Sequence, residues 1–222
     1  MKPSKVRLVL LPGLGSDERL FDAQRPVFPN LIVPPWITPK TNESLRAYAR
    51  RFAQTLKIKR PFYLGGASFG GMVALEMAKY LKPKGVILIG SARNAKMVPF
   101  YDRKLAKTFP FLPSLIVSIS RNFPLIRMAL FGITKKQHRE MFNNMLLKTS
   151  NRFLSWGIQA IFAWEGCEAV KTKVFHVHGK KDALIPIKKV SPDVVVKDGG
   201  HLVNLTHADQ INKLIKVFIE GE

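Results

Sequence analysis

Six short runs of apolar, mostly β-favouring residues punctuate the chain, at 6–11, 31–33, 62–64, 86–89, 174–177 and 194–196. They are near-continuously apolar rather than alternating, which suits strands of a parallel sheet covered on both faces. Helical periodicity falls between them. Asn42-Glu43-Ser44 opens a helix that runs through Leu45, Tyr48, Phe52 and Leu56. A second is predicted over 69–81, stopped by Pro83, and a last one after Thr206, with Ile211, Leu214, Ile215 and Phe218 on one face and lysines opposite. Strands alternating with helices predict an α/β fold, a mostly parallel sheet joined by right-handed crossovers.

One stretch breaks the alternation. About 80 residues between Ser91 and Lys173 contain no strand pattern and are rich in Phe, Leu, Met and Pro. They include Phe109-Pro110-Phe111-Leu112-Pro113, Phe123-Pro124-Leu125-Ile126, Met141-Phe142 and Ile161-Phe162-Ala163-Trp164. The expectation is a helical cap insertion over 92–170, with the α/β core formed by 1–91 and 171–222. Most of the insertion's aromatic residues are expected to form its own core.

Composition narrows the class. The 222 residues are 46% apolar, enough for a full core in one domain with an insertion. The single cysteine, Cys167, excludes a disulfide within the chain, and no Cys/His cluster has zinc-ligand spacing. The apolar run at 6–11 contains Arg7 and stops at Pro12-Gly13, so it reads as a strand rather than a signal peptide. With no long uncharged apolar segment either, a cytoplasmic protein without a transmembrane segment is expected. Charge is the unusual feature: 36 Lys+Arg against 15 Asp+Glu give +21. Such a field attracts nucleic acid, anionic lipid or an acidic protein. The basic residues are nevertheless scattered, with no run longer than three, and a generally basic solvated surface accounts for them equally. No RNA-recognition aromatics, helix-turn-helix pattern or long basic tract is present, so no nucleic acid partner is expected.

Four blocks carry candidate chemistry. Gly66-Ala67-Ser68-Phe69-Gly70 fits G-x-S-x-G, directly after one predicted strand and opening a predicted helix. That context belongs to a nucleophile elbow, with Gly66 and Gly70 giving clearance around an exposed serine hydroxyl. Leu11-Pro12-Gly13-Leu14-Gly15 follows the first strand, where the N–H of Leu14, with that of Phe69, can form an oxyanion hole. His178-Gly179-Lys180-Lys181-Asp182 follows the fifth strand and puts Asp182 at the same sheet edge as Ser68. Alternatively Asp182 caps a turn or pairs with Lys180 or Lys181. Asp102, Asp193 and Asp198 are rival acids without a strand-end position. Gly199-Gly200-His201 follows the last strand, placing His201 as a base toward Ser68. His138, His176, His178 and His207 are expected to be structural or surface residues.

Together these blocks, in the order Ser–Asp–His, resemble the α/β-hydrolase superfamily over nearly the whole chain outside the cap. The pattern is similar to small, capped hydrolases such as carboxylesterases and pimeloyl-ACP methyl ester esterases. Pro12-Gly13 stands where relatives usually carry His-Gly, a departure that bears on the loop more than on activity. The short lead-in implies that the fold's leading strands are reduced. The resemblance implies a serine hydrolase with Ser68, Asp182 and His201 as triad, needing no metal or organic cofactor. It further implies a medium-sized, largely apolar acyl ester or thioester as small-molecule substrate. A serine at position 68 argues against a haloalkane dehalogenase.

Three alternatives remain at this stage: a C–C bond hydrolase, an acyltransferase, and a non-catalytic binding protein of the same fold. An acidic acyl carrier protein is a further candidate partner, through Arg121, Arg127, Lys135, Lys136 and Arg139, although a solvated helix face is the favoured reading of these residues.

Overall fold

The computed structural model describes residues 6–98, 109, 111–167 and 170–221. Six strands form one sheet: β1 (Arg7–Leu11), β2 (Leu31–Ile32), β3 (Phe62–Ala67), β4 (Gly85–Ile89), β5 (Lys173–Gly179) and β6 (Val194–Val196). Their order is β2-β1-β3-β4-β5-β6 and every pairing is parallel. The six predicted runs are these strands. β3 reaches three residues further than its apolar run because Gly65, Gly66 and Ala67 continue the ladder against β4. Residue 33 falls outside β2, which is only two residues long.

Side-chain alternation explains why the runs are apolar throughout. Val9, Leu11, Leu64, Val86 and Leu88 face one layer, packed against α1 (Leu45–Thr55) and α2 (Phe69–Leu81). Leu8, Leu10, Tyr63, Ile87, Ile89 and Val177 face the other, where the last helix supplies Ile211, Ile215 and Phe218. Local signals set the helix ends. Ser44 Oγ accepts the Ala47 N–H at 3.2 Å to start α1. Lys82, in the left-handed region at φ 49°, ends α2 before Pro83.

Between β4 and β5 lies the helical insertion, with α3 (Leu112–Asn122), α4 (Pro124–Phe131), α5 (Lys136–Lys148) and α6 (Asn151–Ala163). Its second half packs as expected: Phe142, Leu154, Trp156, Phe162 and Trp164 are buried. Two bonds tie it to the sheet layers, from Trp164 Nε1 to Glu76 Oε1 at 2.9 Å and from Trp156 Nε1 to Glu43 O at 2.8 Å. Its first half departs from expectation. Phe109, Phe111, Phe123, Leu125 and Ile126 are exposed, because α3 and α4 each bury only one narrow stripe. The chain closes with α7 (Val203–Thr206) and α8 (Ala208–Glu220).

Candidate functional site

Ser68 links β3 to α2 in a conformation few non-glycine residues adopt, φ 52° and ψ −121°. Such backbone costs on the order of 1–3 kcal/mol and persists only where the surroundings impose it. Here the Ser68 N–H donates to Ile89 O at 2.9 Å, and Ser91 Oγ donates to Ser68 O at 2.6 Å. The glycines around it answer to contact. A Cβ on Gly70 would lie 2.1 Å from Leu11 O, and one on Gly66 would lie 2.5 Å from the Gly70 carbonyl carbon. On Gly71 it would meet Ser91 Oγ at 2.5 Å.

Asp182 and His201 sit in the loops after β5 and β6, and both are buried. His201 Nδ1 lies 2.8 Å from Asp182 Oδ2. The other carboxylate oxygen accepts the N–H groups of Leu184 at 2.9 Å and Ile185 at 2.8 Å. Burial alone would raise the Asp182 carboxyl. The charge of His201, with hydrogen bonds from His178, His201 and the Ile185 N–H, outweighs that and holds it well below the usual carboxylate range. An ionised Asp182 only accepts, so the His201 proton sits on Nδ1 and leaves the Nε2 lone pair free. Nε2 is buried and has no protein hydrogen-bond partner among the described residues.

Two further histidines join this carboxylate. His178 Nε2 lies 2.7 Å from Ile185 O and 3.1 Å from Asp182 Oδ2. Both neighbours are acceptors, so the His178 proton is on Nε2. Its Nδ1 then accepts from His176 Nε2, at 3.1 Å. His176 and His178 are therefore buried structural residues rather than surface ones. Burial, then the neighbouring His178 and Arg93, pushes His176 down to about 3 from 6.5. The unfolded chain thus takes up this proton more readily between those values, and stability falls as pH drops below 6.5. His176→Gln is expected to remove about 2 kcal/mol of the stability lost between neutral pH and about pH 5. Urea unfolding at both pH values checks this; an unchanged difference would contradict it.

Gly90, just after β4, brings the three elements together. A Cβ on Gly90 would lie 2.5 Å from His201 O and 3.8 Å from Asp182 Oδ2. Its own N–H donates to Val177 O at 2.9 Å, and its neighbour Ile89 holds Ser68. Ser68, Asp182 and His201 thus converge on the C-terminal edge of β3, β4 and β5. The loop after β1 meets the same place: a Cβ on Gly13 would lie 3.7 Å from Ser68 Cβ and 3.8 Å from Ser16 Oγ. Ser16 is 3% exposed and its hydroxyl has no protein hydrogen-bond partner among the described residues. Leu14, the next residue after Gly13, packs its side chain onto Gly157 of α6. The Phe69 N–H is the first of α2, among the four that a helix leaves without an internal carbonyl.

The insertion roofs this edge with apolar groups. The Phe131 ring stands edge-on to His201 at 5.4 Å, and Leu146 and Leu154 press on Gly15. Phe69, Trp36, Phe153 and Trp156 form one aromatic cluster with centroids 5.5 to 5.9 Å apart. A separate surface cavity of about 570 Å³ is lined by α1, the segment 40–44 before it and Tyr80, and none of the candidate residues reaches it.

The rival acids have other duties. Asp193 Oδ2 accepts the His176 N–H at 2.7 Å, and Asp198 pairs with Lys181 at 2.8 Å, which removes Lys181 as a partner for Asp182. Asp102 lies outside the described residues. His207 starts α8 and bonds Thr206 Oγ1 at 2.9 Å. In the basic cluster of the insertion, Arg127 is buried and Arg121 donates to Leu146 O at 3.2 Å, so only Lys135, Lys136 and Arg139 face outward.

Sequence reasoning missed Ser16, Ser91 and the roles of His176 and His178. The histidines carried a signal, since two residues at i and i+2 of a strand share a face. Ser91, after a buried strand, carried none.

A model of the Alpha/beta hydrolase family matches residues 6–214. No curated protein sequence matches the chain. Among solved structures, the fold is similar to a hydrolase from Oleispira antarctica, with TM-score 0.79 and 15% identity over 98% of this chain and 92% of that one. It is similar to an esterase from Exiguobacterium antarcticum, with TM-score 0.77 and 17% identity over 98% and 93%. MenH from S. aureus gives TM-score 0.69 and 17% identity over 97% and 94%. At such identities these likenesses establish the fold alone.

Proposed function

The chain belongs to the α/β-hydrolase family, and from that premise we propose that it is a serine hydrolase of carboxylic esters or thioesters, with Ser68 as nucleophile. His201 is the general base, Asp182 orients it, and the N–H groups of Leu14 and Phe69 form the oxyanion hole. The observation that carries this reading is His201 itself. Its Nδ1 is fixed on Asp182 at 2.8 Å, and its Nε2 is buried with no protein hydrogen-bond partner among the described residues. An Nε2 lone pair that no protein group occupies suits a base that takes a proton from a substrate-engaged serine.

The reaction follows from these roles. Nε2 takes the Ser68 proton as Oγ attacks the acyl carbon, and the developing oxyanion is met by the two N–H groups. The imidazolium then protonates the departing alcohol or thiol, and the acyl group remains on Ser68. Water, deprotonated by His201, attacks the acyl-enzyme and releases the acid. The apolar roof from Phe131, Leu146, Leu154 and Trp156 supports a medium-sized, largely apolar acyl group. Turnover of p-nitrophenyl esters from acetate to decanoate tests the reading, with an optimum expected at intermediate chain length. Folded protein inert toward every ester and toward acyl thioesters would overturn it.

Ser16 has a part in the same reading. Its partnerless hydroxyl borders the oxyanion loop and is available to the developing charge. Ser16→Ala is expected to lower kcat roughly tenfold to a hundredfold. Because the hydroxyl bonds no protein group among the described residues, Tm should not fall. A lower Tm with unchanged kcat would show a structural serine instead.

A further inference from the structure

More than half of the exposed large apolar side chains among the described residues lie between 109 and 130. In α3, Pro113 and Val117 face inward, four residues apart. Phe111, Leu115 and Ile119, also four apart, form a second apolar stripe that faces out, with Phe111 59% exposed. The stripe runs on through Phe123 into α4, where Arg127 and Met128 turn inward and Leu125 and Ile126 turn out, Leu125 to 77%. α3 and α4 meet at 98°, so the two stripes make an apolar corner. A helix apolar on both sides is normally covered on both.

Charge identifies what covers this one. Between 112 and 163 the chain carries seven Lys and Arg against a single acidic residue, Glu140. Exposed Lys135, Lys136 and Arg139 follow directly after α4. A second copy of the chain would bring another +21 to the contact and be repelled. An acidic carrier protein matches the charge but leaves the apolar centre of the corner unexplained. An anionic bilayer satisfies both, taking apolar side chains into the acyl boundary and cations against its headgroups. The helices have 11 and 8 residues, and among the described residues no single helix is long and apolar enough to cross a membrane.

We propose that the α3–α4 corner docks this protein on the surface of an anionic lipid bilayer. The apolar stripes enter the interface, while Lys135, Lys136 and Arg139 contact the headgroups. The inference is independent of the chemistry assigned to Ser68. If it holds, the bilayer lies beside the roof of the site, since α4 ends at Phe131 against His201.

Vesicle flotation tests it, with phosphatidylcholine alone and with equal parts phosphatidylcholine and phosphatidylglycerol. The protein is expected to float with the anionic vesicles only, and less as salt rises. Leu125→Asp with Ile126→Asp, and separately Leu115→Asp, should each weaken this binding at least tenfold, with the circular-dichroism melt unchanged. Lys135→Glu with Lys136→Glu should weaken it as well. Absence of binding to anionic vesicles would overturn the proposal. So would equal binding by the aspartate variants, which would assign the attraction to net charge alone. A dimer seen by light scattering, lost in the same variants and indifferent to vesicles, would assign the corner to a second copy. Capture of an acidic carrier protein, with no vesicle binding, would assign it to that partner.

Discussion

Ser68→Ala is expected to lower kcat on a p-nitrophenyl ester by roughly 10⁵- to 10⁶-fold, with KM nearly unchanged. The size of the effect follows from the role: without Oγ no acyl-enzyme forms, and His201 has no nucleophile to deprotonate. The fold should survive. Ser91 Oγ and the Ile89 carbonyl hold the backbone of residue 68, not its hydroxyl. Alanine keeps the Cβ and the same backbone strain, so Tm should stay close to that of the wild type. Residual turnover within tenfold of wild type would move the nucleophile elsewhere.

Asp182→Asn should cost about 10⁴-fold in kcat through a proton in the wrong place. The geometry dictates how the amide sits. Asp182 Oδ1 accepts two backbone N–H groups, from Leu184 and Ile185, so the amide oxygen must take that position. The NH₂ group then faces His201 Nδ1 in place of Oδ2. It donates to that nitrogen, which drives the imidazole proton onto Nε2, where a base is needed. His178 loses one acceptor but keeps Ile185 O at 2.7 Å, so the loop should hold its shape. Steady-state kinetics with a near-UV circular-dichroism spectrum separate the two effects. A spectrum that collapses along with activity would mean that Asp182 is needed for folding rather than for its hold on His201.

The strands were legible because each is buried on both faces, and a doubly buried strand writes itself as an unbroken apolar run. The tight turn around Ser68 was legible for a related reason. Gly66 and Gly70 are forced by backbone atoms that would collide with any Cβ, so the collision leaves its mark in residue type. Asp182 and His201 were singled out by position after the fifth and sixth strands, and the structure places both in loops at that edge of the sheet. Residues defined by their partners were harder to read. Nothing in the identity of Ser91 says that its hydroxyl reaches a carbonyl 23 residues earlier. His176 and His178 look like ordinary polar residues until β5 is placed in the sheet's interior, where His178 meets Asp182 and Ile185 O and His176 meets His178. Arg127 misled in the opposite direction. A long cationic side chain in an amphipathic helix reads as surface, whereas this one is turned inward among the insertion helices. The aromatic residues from 109 to 126 were expected to build a core and instead face outward, because hydrophobicity marks a residue that should be covered without saying by what.

If Ser68 is an activated nucleophile, a fluorophosphonate should capture it covalently. The protein is treated with a fluorophosphonate, digested, and the mass of the peptide containing Ser68 is read. A single phosphonyl adduct on Ser68 is expected, absent when the protein is first unfolded and strongly slowed in Asp182→Asn. An unmodified Ser68 in folded protein, or an adduct on another serine, would contradict it.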